Sequence, residues 1–377
     1  MIDPELFFNE LQNSGVDLLT GVPDSLFSNF TDYVISSTTH CKHITAANEG
    51  NALAIAAGYY LSTGKISLVY LQNSGLGNIV NPLTSLTDAE IYSIPVLLMI
   101  GWRGEPGIKD EPQHIKQGRI TESQMKLLEI PYWIINSDSD YSSILKDVFS
   151  ALKKADSPVA LLVRKNTFSK KADQNVKPQS AHLMREEAIK QLLELSAPED
   201  VFVSTTGKTS RELYELRKAR GESNKDFLMV GSMGHTSSMA CGIALGCPER
   251  RVVCLDGDGS LLMHMGSLPV IGGITPTNLV HVLLNNSAHD SVGGQPTIAD
   301  KINFRSLAAS CNYTHYFFAD TLEGIVSSWN ELQKLEGPVL LEIRVRTGSR
   351  ENLGRPDKSP LENKLAFMEF IRKKNGF

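Results

Sequence analysis

Five cysteines in 377 residues, none in a Cys-x-x-Cys pair, leave little from which to build a disulfide framework or a zinc knuckle. Cys41, Cys241, Cys247, Cys254 and Cys311 sit mostly among apolar residues, so buried free thiols in a reducing compartment are expected. No apolar run approaches the roughly 20 residues that span a bilayer. Basic clusters are missing too, and 37 Lys and Arg against 42 Asp and Glu give a net charge of −5, which argues against a nucleic-acid surface. The start, Met1-Ile-Asp-Pro-Glu5, is acidic and has no apolar signal-peptide core, so a cytoplasmic location is expected. Nor does a G-x-G-x-x-G turn follow the first strand, which removes a dinucleotide-binding dehydrogenase.

What is present is an ordinary globular composition, 41% hydrophobic and 21% charged, at a length comfortable for two domains. Apolar runs at 16–20, 43–46, 66–71, 96–100, 132–135 and 159–163 read as strands. Helix-like stretches at 5–13, 26–35, 49–61 and 141–153 lie between them. Residues 166–181 are polar, Lys- and Pro-bearing, and read as a linker. The rhythm then resumes, with strands at 201–204, 227–230, 252–255, 279–284, 315–318 and 339–345. Helices are expected at 185–195, 210–220, 237–245, 264–271, 322–334 and 361–373. Apolar strands separated by helices imply parallel sheets covered on both faces. The expected fold is α/β, two doubly wound domains at 1–165 and 182–377, of duplicated architecture.

The most informative stretch is Val252-Val-Cys-Leu-Asp-Gly-Asp-Gly-Ser260, followed at the end of the next strand by Asn285-Asn286. Two adjacent strand ends would then offer the Asp258 carboxylate and the Asn285 amide oxygen, hard donors suited to Mg²⁺. Gly257 and Gly259 would let the backbone turn and approach a diphosphate, with a helix N-terminus behind. Gly-Asp-Gly alone could equally be a plain turn. Glu49, in Ala46-Ala-Asn-Glu-Gly50, is the one acid entering an Ala-rich helix, either an N-terminal decoration or a buried acid with a task. Ser204-Thr-Thr-Gly-Lys208 ends a strand, and Thr206 and Gly207 can offer a hydroxyl and an N–H to a phosphate. Two further strand-end turns, Gly21-Val-Pro-Asp-Ser25 and Leu71-Gln-Asn-Ser-Gly-Leu-Gly-Asn78, are candidate anion sites, although Asp24-Ser25 also suits a helix cap.

Together, Gly257-Asp258-Gly259-Ser260 with Asn285-Asn286, and Ala47-Asn48-Glu49-Gly50-Asn51, resemble the thiamine-diphosphate-dependent 2-oxo acid decarboxylases over nearly the whole chain. The resemblance implies a first, pyrimidine-binding domain and a second, diphosphate-binding domain. The middle domain of larger members is missing, because the linker is too short for it. It implies thiamine diphosphate and Mg²⁺ as cofactors. Glu49 would hydrogen-bond the pyrimidine and assist removal of the thiazolium proton, leaving the carbanion chemistry to the cofactor. Met233, before Gly234, would wedge between the cofactor rings, and the Ser287 carbonyl would be the third metal ligand beside Asp258 and Asn285. Ser25, Asn73 and Ser74 carry over as cofactor or substrate contacts. Because family sites form between subunits, a homodimer or higher homo-oligomer is implied.

Within that family the short, two-domain form and the segments 101–114 and 285–295 resemble the members that act on 3-phosphonopyruvate, which implies that small-molecule substrate, converted to phosphonoacetaldehyde and CO₂ in phosphonate biosynthesis. Sulfopyruvate is the alternative; its decarboxylases commonly divide the halves between subunits, so one fused chain favours the phosphonate. A non-catalytic thiamine-diphosphate-binding regulator is the remote reading. Asp24, Ser25, Arg103, Lys109, His114 and Lys116 are expected to meet the substrate's anionic groups, the last four on a mobile Gly/Pro-rich loop. A charged solvated loop would look the same. His114, His289 and Asp290 are candidate proton donors.

Overall fold

The computed structural model describes residues 1–37, 41–170, 183–223 and 225–373. The chain splits into two compact units, Met1–Val176 and Lys177–Phe377. Of the expected linker, residues 171–181 lie outside the described residues.

In the first unit the strands are β1 (Val16–Gly21), β2 (Lys42–Thr45), β3 (Ile66–Gln72), β4 (Val96–Gly101), β5 (Tyr132–Ile135) and β6 (Val159–Val163). They form one sheet in the order β2-β1-β3-β4-β6-β5, every neighbouring pair parallel. Side-chain alternation splits the strands between two cores. Leu97 and Met99 face Phe7, Phe30 and Val148, whereas Val96, Leu98 and Ile100 face Ala52, Leu53 and Ile79. Helices α1 (Pro4–Asn13), α2 (Ser28–Ser36) and α6 (Tyr141–Ala155) supply the first core; α3 (Glu49–Thr63), α4 (Leu76–Pro82) and α5 (Pro112–Leu127) supply the second.

The second unit contains β7 (Val201–Ser204), β8 (Phe227–Leu228), β9 (Val252–Gly257), β10 (Leu279–Asn285), β13 (His315–Ala319) and β14 (Val339–Arg344). They form a parallel sheet in the order β13-β14-β10-β9-β7-β8. Numbered from its own first strand and read from the other edge, that is the order of the first sheet, 2-1-3-4-6-5. The expected duplication is therefore present strand for strand. A small antiparallel pair, β11 (Ala288–His289) with β12 (Gln295–Pro296), follows β10. Its helices are α7 (Arg185–Leu195), α8 (Lys208–Ala219), α9 (Thr236–Gly246), α10 (Asp258–Met263), α11 (Ser267–Ile274), α12 (Phe304–Ser310), α13 (Leu322–Leu332) and α14 (Pro360–Arg372).

Several expectations are corrected. The helix expected at 264–271 is α11, displaced to Ser267–Ile274, and a separate short helix, α10, precedes it and begins at Asp258 itself. Residues 112–127, read partly as loop, are α5, because Pro112 opens a helix whose polar surface faces outward and hides the apolar period. His114 and Lys116 thus lie on a helix and not on a mobile loop. Helices α4 and α12 are additional, and β8 stops at Leu228. Among the described residues no helix is long and apolar enough to cross a membrane.

Candidate active site

In each sheet the chain turns one way from strand 1 to strand 2 and the other way from strand 3 to strand 4. The crevice beyond the carboxyl ends of strands 1 and 3 is therefore where a ligand fits. In the second unit those ends are β7 and β9, which deliver Thr205–Gly207 and Asp258–Ser260. The Ser260 hydroxyl ties the region together: Gly234 N donates to it at 3.2 Å and Thr205 Oγ1 at 3.1 Å. Gly207 has φ +95° and lies where a Cβ would come within 2.5 Å of Ser291 Oγ, so only glycine is compatible there. Thr206 Oγ1 donates to Val230 O at 2.7 Å.

Pairing of β9 with β10 sets Leu284 opposite Gly257, so Asp258 and Asn285 leave adjacent strands side by side. Asp258 is 1% exposed; it accepts from Asn286 N at 3.3 Å and from the Thr297 hydroxyl. Burial pushes its pKa up to about 6, against these hydrogen bonds and the charge of Arg344. Asn285 donates through Nδ2 to Glu342 Oε1 at 2.8 Å, which fixes the amide and turns Oδ1 the other way. Oδ1 accepts from Ser287 N at 3.1 Å. Ser287 has φ +56°, and its carbonyl accepts from Thr297 N at 2.9 Å. A buried carboxylate, an oriented amide oxygen and a carbonyl, all hard oxygen donors, fit a small divalent cation bridging to phosphate. Their charge and chemistry suit a metal–diphosphate group.

The two glycines make room in different ways. Gly257 has the ordinary extended φ of −108° and nothing within 4 Å of a Cβ, so the backbone there stays open to an approaching ligand. A Cβ on Gly259 would sit 2.9 Å from the His289 ring and 3.4 Å from Met233 Cε. Met233 and His289 thus border the same spot.

In the first unit, β1 and β3 flank the corresponding crevice. Asp24 is fully buried, accepting from Leu26 N at 2.8 Å and from the Gln72 amide, and burial raises its pKa. The exposed Ser74 donates to Gln72 Oε1 at 2.7 Å. Asn73 is spent on the neighbouring turn: its Nδ2 donates to Arg103 O at 2.8 Å and Thr121 Oγ1 at 2.9 Å. Glu49, at the start of α3 and 4% exposed, accepts from Asn78 Nδ2 at 2.7 Å. A Cβ on Gly75 would fall 2.2 Å from Glu49 Oε1, so that glycine makes room for the carboxylate.

Arg103 grips Asp110 with two hydrogen bonds of 2.8 and 2.6 Å and reaches Ser25 Oγ at 2.8 Å. His114 Nδ1 joins Asp110 at 2.9 Å. Burial opposes charge on Asp110, but Arg103, His114 and two backbone N–H groups outweigh it and hold the carboxyl well below its usual range. Ser25, Arg103, Lys165, Phe168 and Lys170 line a cavity of about 350 Å³. Lys109 and Lys116 are exposed.

Two proposed proton donors look different once placed. Asp290 pairs with Arg185 at 2.9 Å and Lys208 at 3.3 Å; burial notwithstanding, these cations keep it ionised. A carboxylate so held is a poor acid. His289 is lowered by burial to about 4 and is neutral near pH 7. Asn78, Asp110, Lys165, Thr297 and Glu342 were not foreseen. Asp110 and His114 at i,i+4 was the one local signal; Thr297 bonds Asp258 across 39 residues.

The sequence of each unit matches a known family domain. The description "Thiamine pyrophosphate enzyme, N-terminal TPP binding domain" fits residues 4–127, and "Thiamine pyrophosphate enzyme, C-terminal TPP binding domain" fits 205–343. Phosphonopyruvate decarboxylase of Streptomyces viridochromogenes is 35% identical across 96% of this chain and 93% of its own. That of Streptomyces hygroscopicus is 36% identical across 96% and 92%. The chain therefore belongs to the thiamine pyrophosphate enzymes, on their phosphonopyruvate decarboxylase branch, with no middle domain between the two matched regions. A sulfopyruvate decarboxylase of Methanosarcina acetivorans is 26% identical across 98% of both chains. One fused chain is thus compatible with either name, which corrects the weight given to fusion.

Proposed function

We propose that this chain is a thiamine-diphosphate- and Mg²⁺-dependent carboxy-lyase converting 3-phosphonopyruvate to phosphonoacetaldehyde and CO₂, a step of phosphonate biosynthesis. The full-length similarity to two phosphonopyruvate decarboxylases carries this reading. Bound thiamine diphosphate supplies the nucleophilic carbon and electron sink that loss of CO₂ from a 2-oxo acid requires. Asp258, Asn285 Oδ1 and the Ser287 carbonyl hold Mg²⁺, and Thr206, Gly207 and the backbone of 257–260 receive the diphosphate. Met233 supports the rings. Glu49, buried and positioned by Asn78, holds the proton at the pyrimidine nitrogen.

Arg103 and Ser25, with Asp24 behind them, meet the substrate's anionic end, and Lys165 and Lys170 add positive charge to the same cavity. His114 is kept by Asp110 beside Arg103, and His289 serves as a neutral imidazole. Lys109 and Ser74 are left as peripheral contacts. Exposed apolar residues on α3 (Ile55, Leu61) and α9 (Met239, Leu245) favour a second copy of the chain covering these helices and completing the sites. The proposed location is cytoplasmic, and the proposed domain limits are 1–165 and 182–377. A coupled assay for phosphonoacetaldehyde, run with and without thiamine diphosphate and Mg²⁺, tests the reading. Sulfopyruvate turning over faster than phosphonopyruvate would transfer the assignment to the second substrate, the reading that the Methanosarcina similarity favours.

A further inference from the structure

Beneath the cofactor end of the second sheet lies a polar cluster that the decarboxylation does not use. Alternation along β9 sends Val253 and Leu255 into the core shared with α7 and α13, and Cys254 and Asp256 to the opposite face. His281 of β10 pairs directly with Cys254 in the register and joins them there. All three side chains are completely buried. One donor atom from each, Cys254 Sγ, an Asp256 carboxylate oxygen and a His281 ring nitrogen, lie within 4.8 Å of one another.

The remaining bonds of this group are arranged as around a metal. Asp256 Oδ1 accepts from Gly257 N at 2.9 Å, which leaves Oδ2 without a hydrogen-bond partner. His281 Nδ1 meets Tyr313 Oη at 3.0 Å, which leaves Nε2 equally unpartnered. The two orphaned atoms face each other at 3.4 Å. A protonated ring would make this an ordinary ion pair, but a tetrahedral site with metal–ligand bonds of about 2.0–2.3 Å has ligand–ligand edges of roughly 3.3–3.8 Å, so the separation also suits two ligands sharing an ion, with Cys254 Sγ within 4.8 Å. A second ring nitrogen anchored by an outer partner is also how metal-bound histidines are held.

We infer that Cys254, Asp256 and His281 supply three ligands of a site for a borderline-soft divalent ion of the zinc class, separate from the Mg²⁺ set, with the fourth position left to a water or another small donor. A thiolate, a carboxylate and a neutral imidazole bring two negative charges, which one divalent ion cancels; sulfur and nitrogen donors disfavour Mg²⁺. The ion would clamp β9 to β10, the two strands whose ends carry Asp258 and Asn285. Full burial means that it enters as the chain folds and resists chelators afterwards. All five cysteines are free and four are buried, as expected, and the inference adds a role for Cys254 alone.

The test is elemental analysis of the full-length protein, produced with Zn²⁺ in the medium and dialysed against a chelator before Mg²⁺ is restored. One zinc per chain is expected, falling at least tenfold in Cys254→Ala and in His281→Ala. Protein refolded with Co²⁺ should show thiolate-to-metal charge transfer and the visible bands of a tetrahedral site, both absent from Cys254→Ala. Folded wild-type protein without stoichiometric transition metal, or zinc retained undiminished in both variants, would overturn the inference. The wild-type measurement decides even if the variants do not fold.

Discussion

The two units share one strand order, yet their corresponding loops carry opposite equipment. After its third strand the second unit presents Asp258, an oxygen donor for a cation; the first unit presents Asn73, whose amide is consumed by the turn that carries Arg103. After its second strand the first unit buries an acid, Glu49, at the head of an Ala-rich helix, while the second presents Met233 and Gly234 before another small-residue helix. In the proposed function, the same backbone crevice would serve as a proton-handling site in one unit and a metal–diphosphate holder in the other. Fold sets where the site lies, and a few loop residues set what it does.

The sharpest way to break this contrast is to exchange single oxygens for nitrogen or carbon. Glu49→Gln should lower turnover by about 10²–10⁴-fold, because proton transfer at that position is lost; steady-state kinetics would check it. Glu342→Gln loosens the group that orients Asn285 and should weaken Mg²⁺ by about 10–100-fold without touching a ligand, measurable by metal titration. Asp290→Asn should cost about 1–3 kcal/mol of stability, since Arg185 keeps only Glu212 as a carboxylate partner, while turnover persists in folded protein. Loss of turnover without loss of stability would restore Asp290 as a proton donor.

A smaller effect concerns pH. Burial lowers His43 of β2 from 6.5 to about 4, so between those values the unfolded chain binds a proton that the folded chain refuses. Stability therefore rises with pH across this window and levels off above 6.5. With discounting for partial exposure, the span is about 2 kcal/mol. Melting curves from pH 4.5 to 7 should be flatter for His43→Gln than for wild type.

The strands and the shared architecture were legible because continuous apolar runs such as Leu279–Asn285 are buried on both faces and need no partner to be recognised. Asp258, Asn285 and Glu49 stood out because each interrupts an apolar pattern at its end. What did not show was anything set by distant pairing. Asp290 reads as a free acid until Arg185, 105 residues away, closes on it. Asn78 reads as part of a turn until it meets Glu49 29 residues back. Helix α5 was hidden by its polar surface, and its start at Pro112 turned a supposed loop into the rigid support of His114.

The division of labour itself is tested most directly by titrating thiamine diphosphate into Glu49→Gln in a calorimeter with Mg²⁺ present, beside Asp258→Ala. If the second unit holds the cofactor and the first activates it, Glu49→Gln binds with close to wild-type affinity and Asp258→Ala does not bind measurably. Equal loss of affinity in both variants, or unchanged affinity in Asp258→Ala, would contradict the account.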